Sequence, residues 1–110
     1  MKTANFAENL ANLGSIDAYA KLELIDAAGS TVACIENKPG SQGSLKVYRH
    51  LAAKWGAINP DAAAEGVQLY AEHTEDARRN PGKHPNIDRL FDIVASGSVY
   101  SVQLTPAVSA

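Results

Sequence analysis

Cysteine, aromatic residues and long apolar runs are all scarce in this chain of 110 residues. The single cysteine, Cys34, excludes an internal disulfide and fits a reducing cytoplasm, which is the location we expect. Aromatic residues make up 6% of the chain and do not alternate with basic ones, so we expect no stacking on nucleic-acid bases. No apolar run approaches the roughly 18 residues of a membrane-spanning helix. Residues 1–8 do not have the pattern of a secretory signal.

Charge of either sign is in no large excess. The net charge of -2 gives no field that would draw the chain onto nucleic acid or an anionic membrane. Hydrophobic residues make up 45% and charged residues 20%, which is the composition of a globular domain. We expect a single α+β domain over residues 1–105 and a tail over residues 106–110.

The spacing of apolar residues predicts an α+β fold with the element order αββαααβ. The predicted elements are a helix over 5–14, strands at Tyr19–Ile25 and Thr31–Glu36, helices over 44–56, 60–80 and 85–97, and a strand over 99–104. Asn5 and Glu8 have the spacing of a capping box, and Ser44 is the expected N-cap of the second helix. The apolar faces of these helices and strands predict a small three-stranded, mainly antiparallel sheet with helices packed on one face.

Two side chains, Trp55 and Cys34, are expected in the core. Trp55 ends an apolar helix face, so it should be largely buried. Cys34 alternates with Val32 in an apolar run, which indicates a small buried hydrophobe rather than a nucleophile.

A three-stranded sheet leaves two open strand edges, and pairing with a second copy of the chain could cover one of them.

The loop 37–44 and the helix after it form the first candidate site. A glycine loop that leads into a helix N-terminus can bind an anion, because unpaired N–H groups converge there. The candidate ligand-binding residues of this loop are Lys38, Gly40, Gly43 and Ser44. The span 37–60 has no Asp or Glu, and Lys46, His50 and Lys54 form one basic stripe on the helix. The alternative is that the glycines only turn the chain and the lysines are a solvated face.

The segment 73–90 is the second candidate site, because it is rich in ionisable residues and is stiffened by two prolines. Its candidate ligand-binding residues are Arg78, Arg79, Lys83, His84 and Arg89. Arginine suits the bidentate capture of phosphate or carboxylate. The candidate catalytic residues are His73, Asp76 and His84. The alternative is that these charges pair with each other at a helix junction.

We expect neither a metal site nor a cofactor. A zinc site from His50, His73 and His84 would match no known ligand spacing. The glycines do not have the spacing of a phosphate-binding P-loop, and there is no nucleophile elbow and no dinucleotide fingerprint.

The chain has two Pro-Gly loops, one at Pro39-Gly40 and one at Pro81-Gly82. Both loops lead into helices that should cover the same sheet, so we expect the loops on the same side of the domain.

Four strings of the chain resemble a family of small bacterial proteins that is catalogued as a domain of unknown function. They are IENKPG at 35–40, GSLKVY at 43–48, HTEDAR at 73–78 and PGKHPNIDRL at 81–90. The likeness covers nearly the whole chain. It implies a bacterial, soluble, single-domain protein of about this length, and it implies no activity, so no catalytic residue carries over.

Three functions are compatible with these features. The first is a non-catalytic cytoplasmic module that recognises an anionic small molecule or protein partner, with no membrane or nucleic-acid partner. The second is a small hydrolase or transferase in which His73 or His84 is the general base and Arg78 or Lys83 holds an anionic substrate. The third is the structural subunit of a homodimer.

Overall fold

The computed structural model describes residues 5–107, and residues 108–110 of the predicted tail lie outside that range. Its elements are α1 (Phe6–Ala11), β1 (Tyr19–Ile25), β2 (Thr31–Glu36), α2 (Gln42–Trp55), α3 (Pro60–Leu69), α4 (Glu72–Arg79), α5 (Pro85–Ser96) and β3 (Ser101–Pro106). The last strand therefore reaches Pro106, one residue into the predicted tail. None of the described helices is long and apolar enough to cross a membrane.

The three strands form one antiparallel sheet in the order β2-β1-β3. Leu22 of the central strand pairs with Ile35 on one side and with Leu104 on the other. Leu22 and Leu24 are fully buried, because alternate side chains of β1 point toward the helices. The predicted α+β fold, with a three-stranded antiparallel sheet and helices packed on one face, is confirmed.

Cys34 lies on the other face of the sheet and is exposed, so its predicted burial is wrong. It pairs with Glu23, whereas the neighbouring Ile35 points into the core. Val32, two residues earlier, is 47% exposed. The alternation within β2 was read correctly, but the apolar character of Val32 and Cys34 does not say which set of alternate residues meets the helices.

Helix α3 is pressed between α2 and α5 at Gly66. A Cβ atom there would lie 2.8 Å from Cδ1 of Leu90 on α5 and 2.9 Å from Cδ1 of Leu51 on α2. Ala62 and Ala63 of the same helix are fully buried. Small side chains on α3 thus allow three helices to meet closely under the sheet.

The predicted order αββαααβ is confirmed, with the third predicted helix divided in two at Tyr70 and Ala71. Ala71 has φ 51° and ψ -117°, a conformation that a residue with a Cβ rarely adopts. The turn is closed by the His73 N–H, which donates to the carbonyl of Tyr70 at 3.0 Å. At the end of α3, Asn9 donates to the carbonyl of Leu69 and Thr74 to that of Val67. These side chains satisfy carbonyls that a continuous helix would have used.

Two predictions about α2 are corrected. The N-cap is Ser41 and not Ser44, and the Ser41 hydroxyl donates to the Glu36 carbonyl at 2.6 Å rather than capping the helix. Trp55 is 38% exposed in the last turn, so its predicted burial is wrong. Its indole N–H donates to Glu65 at 3.2 Å, and this surface carboxylate keeps the polar edge of the ring near water.

Candidate functional site

A cavity of about 480 Å³ opens where α2, α4 and α5 begin. This volume lies within the range of small-molecule sites, about 300–1,000 Å³. Its lining residues are Phe6, Leu10, Gly40, Gln42, Gly43, Ser44, Tyr70, His73, Lys83, His84, Pro85, Asn86 and Ile87.

Residues of both Pro-Gly loops line this cavity. Gly40 and Gly82 have φ values of 94° and 92°, which glycine adopts without strain. The Gly82 N–H donates to the Asp88 carboxylate at 2.9 Å, which holds the second loop against the first turn of α5. Because Gly40 and Lys83 both line the cavity, the loops lie on the same side of the domain, as the sequence predicts.

Apart from Tyr70, the ionisable groups that line the cavity are cationic or can become so. They are Lys83, His73 and His84, and among the described lining residues there is no Asp or Glu. Neither α2 nor α5 has a side chain that caps its first turn. Within residues 5–107, the N–H groups of Gln42, Gly43 and Ser44 in α2 and of Asn86 in α5 have no backbone partner and are left for water or a ligand. Pro85 has no N–H, and those of Ile87 and Asp88 donate to the His84 carbonyl. Both helix dipoles favour negative charge here.

Asp76 lies behind the cavity wall and holds two of these groups. Its Oδ2 atom is 2.6 Å from Nε2 of His84 and 3.1 Å from Nζ of Lys83. The hydrogen bond from His84, followed by that from Lys83, lowers the pKa of Asp76 from 3.8 to about 2. An ionised carboxylate can only accept, so Nε2 of His84 carries the proton and Nδ1 is the other ring nitrogen. The His84 ring centroid is 5.8 Å from that of His73.

An aromatic wall faces the cationic groups. The Phe6 ring stacks on Tyr70 with centroids 5.2 Å apart and meets the His73 ring edge-on at 4.9 Å. The buried Tyr70 hydroxyl donates to Oγ of Ser44 at 2.6 Å. Burial strongly raises the pKa of Tyr70, so its hydroxyl is a neutral donor. Ser44 accepts this hydrogen bond, which leaves its own proton free to donate.

Helix α1 supplies Phe6 and is fixed across the start of α2. Its N-terminus has the predicted capping box between Asn5 and Glu8. The Phe6 N–H donates to Glu72 at 2.8 Å, which lowers the pKa of that carboxyl. A Cβ atom on Gly43 would lie 3.1 Å from Cζ of Phe6, so this glycine provides room for the ring.

The structure brings together six of the residues that the sequence singled out. Those that line the cavity are Gly40, Gly43, Ser44, His73, Lys83 and His84. Lys38 instead pairs with Glu36 at 3.3 Å. Arg78 pairs with Glu75 at 2.7 Å, and Arg79 is exposed at the end of α4. These three cations do not line the cavity.

Arg89 supports the cavity from below rather than lining it. Its guanidinium donates to Oδ1 of Asn86 at 2.9 Å and to the Tyr48 hydroxyl at 3.2 Å. The Tyr48 hydroxyl in turn donates to the Asn86 carbonyl at 2.5 Å. Burial raises the pKa of Tyr48 to about 12, although the Arg89 charge opposes this. Arg89 and Tyr48 thus hold the first turn of α5 in place.

The basic stripe on α2 does not line the cavity, and two of its three side chains, His50 and Lys54, share one carboxylate. Glu65 of α3 binds both Nε2 of His50 and Nζ of Lys54 at 2.7 Å. Burial opposes ionisation of Glu65, but hydrogen bonds from Lys54, His50 and Trp55 outweigh it and lower its pKa. Over residues 5–107, no group of three or more His, Cys, Asp or Glu side chains lies close enough to hold a metal ion.

Sequence reasoning missed the apolar and amide parts of the lining. They are Phe6, Leu10, Gln42, Tyr70, Pro85, Asn86 and Ile87. The capping box predicted α1, but no local signal places α1 over α2. Tyr70 follows the last residue of α3 and His73 lies in α4, so the turn at Ala71 connects these two lining residues.

A family described as "Uncharacterized protein conserved in bacteria (DUF2322)" matches residues 6–104. The chain belongs to this family. No curated protein and no solved structure matches the chain.

Proposed function

We propose that this bacterial protein is a non-catalytic binding module that holds an anionic ligand in the cavity between the two Pro-Gly loops. The observation that carries the proposal is the lining, in which Lys83, His73 and His84 are present without any carboxylate among the described residues. The uncapped first turns of α2 and α5 supply further N–H donors.

The charge balance around Asp76 supports the binding of an anion. One carboxylate faces both Lys83 and His84, so a protonated His84 leaves one positive charge uncompensated. The Lys83 side chain is 60% exposed, so it can turn from Asp76 toward a ligand. Added salt should therefore weaken anion binding.

Titration of the protein with inorganic phosphate, followed by calorimetry or amide NMR shifts, tests this proposal. Lys83→Ala should weaken binding by about ten- to a hundredfold, since a charge-assisted hydrogen bond contributes about 1.5–3 kcal/mol. Lys38→Ala is the matched control, because Lys38 lies in the first Pro-Gly loop but not in the cavity lining. Equal effects of the two variants would rule out the proposed site, and so would a wild type that binds neither inorganic phosphate nor phenyl phosphate.

A hydrolase or transferase is the second candidate, and the Asp76–His84 hydrogen bond favours it. A carboxylate at 2.6 Å from Nε2 orients the imidazole and leaves Nδ1 to accept a proton from a nucleophile. Turnover of p-nitrophenyl phosphate and p-nitrophenyl acetate measures this function. His84→Gln should abolish any turnover, whereas wild-type rates equal to buffer would reject catalysis on these two esters.

The homodimer subunit and the cytoplasmic location stay predictions. Strands β2 and β3 are the two edges of the sheet, so either could pair with a second copy. Light scattering at several protein concentrations measures the mass: a constant monomer mass contradicts the homodimer.

A further inference from the structure

We infer that the ligand of this cavity is a small organic anion with a flat aromatic group, whose anionic end meets Lys83 and whose ring packs against Phe6. This inference rests on the proposed anion site and names the chemical class that the site would select. The experiment below decides whether the anionic end is a carboxylate or a phosphate.

The size of the cavity favours an organic anion over an inorganic one. A space of about 480 Å³ is that of a small-molecule site and far exceeds what a single phosphate fills. The basic groups occupy one part of the lining, at Lys83 and His84. The remainder combines the apolar side chains of Phe6, Leu10 and Ile87 with polar groups, which suits an organic ligand body that carries a ring. The polar groups there are Gln42, Ser44 and Asn86.

Phe6 is a cavity wall and not a core residue. It lies in α1, a helix of 6 residues in which no residue is fully buried. The ring is only partly buried, although it stacks on Tyr70 and touches the His73 ring. An aromatic ring kept at the border of a cavity, and not packed in the interior, is available to stack on a ligand ring.

The structure around Gly43 indicates that the position of Phe6 is specified. The missing Cβ leaves the ring 3.1 Å from where that atom would be, and Cδ1 of Leu10 is 3.4 Å from the same point. Two bonds from other elements also hold α1, from Phe6 to Glu72 and from Asn9 to Leu69. The helix is thus placed to present Phe6 at the cavity.

Paired titrations test the two-part ligand, with phenyl phosphate against inorganic phosphate and benzoate against acetate. Wild-type protein should bind an aromatic member at least about three- to tenfold more tightly than its plain counterpart, the range for one aromatic contact. Phe6→Ala should remove most of this gain, so that the aromatic anion and its plain counterpart bind with similar affinity. Phe91→Ala is the matched control, since that partly buried ring of α5 does not line the cavity.

The outcomes separate this inference from the site itself. Equal wild-type affinities for aromatic and plain anions overturn the aromatic selectivity and leave the anion site standing. A Phe6→Ala variant that loses both ligands equally also overturns it. A wild type that binds none of the four anions overturns the proposed site together with this inference. If Phe6→Ala melts far below the wild type, Phe6→Leu removes the ring but keeps an apolar side chain, and a retained aromatic preference in that variant refutes the role of Phe6.

Discussion

Ala71 stores backbone strain, so its replacement by glycine should stabilise the protein. At φ 51° and ψ -117° it occupies the first central position of a turn that normally requires glycine. A non-glycine residue in such a region costs about 1–3 kcal/mol. Glycine removes that strain but adds about 0.5–1 kcal/mol of unfolded-state entropy. The difference predicts a gain of about 0.5–2 kcal/mol for Ala71→Gly.

Urea denaturation followed by circular dichroism measures this gain as a higher midpoint at unchanged slope. Ala64→Gly is the matched control, because Ala64 is an exposed residue within α3. The same substitution there should destabilise by about 1 kcal/mol, since glycine is a poor helix former. If both variants lower the midpoint alike, the helix break does not have the conformation described and the reasoning about the turn fails.

Three further substitutions probe the packing, the pH response and the surface. Gly66→Ala should destabilise by up to about 2 kcal/mol in urea melts, because overpacking against a Leu90 methyl group 2.8 Å away costs about 1–3 kcal/mol and alanine regains about 1 kcal/mol of helix propensity; a raised midpoint would contradict the tight helix crossing. Asp76 has a folded-state pKa of about 2 against 3.8, so the stability it contributes is present above pH 3.8 and is lost as the pH falls through about 2. Thermal melts of Asp76→Asn should show a smaller loss over this range than the wild type, and parallel curves would refute the pairing. Trp55→Ala should cost less than the roughly 3–5 kcal/mol of a core deletion, because the ring is 38% exposed; a loss within that range in urea melts would contradict the surface position.

The elements of the fold were predictable because their signals are local. Alternation over Tyr19–Ile25 marks β1, and Pro60 and Pro85 start their helices at the favoured first position. Gly56 and Gly97 end α2 and α5 in the left-handed conformation. None of these signals depends on residues distant in sequence.

The parts that failed depend on distant contacts. Alanine at position 71 carries no mark of a left-handed turn, so the helix break could not be read. The local pattern predicted that Cys34 and Trp55 are buried. Whether a given face of β2 or α2 is covered, however, depends on residues elsewhere in the chain. The cavity likewise combines α1 with elements some sixty residues away, as Asn9 and Leu69 illustrate with a separation of 60. The sequence therefore identifies candidate cationic residues, but it does not indicate which of them line the same cavity.

The attachment of α1 has a consequence for the order of folding. Its bonds to Leu69 and Glu72 span 60 and 66 residues, so they close a loop that includes the whole hairpin, α2 and α3. The cost of closing so long a loop is met only after α3 and its turn exist to receive the bonds. The helix thus docks late and, with no fully buried residue, can detach while the rest stays folded. Native-state hydrogen exchange would then report fast exchange in α1 beside slow exchange in α2, which makes the first helix a separate opening unit at the cavity.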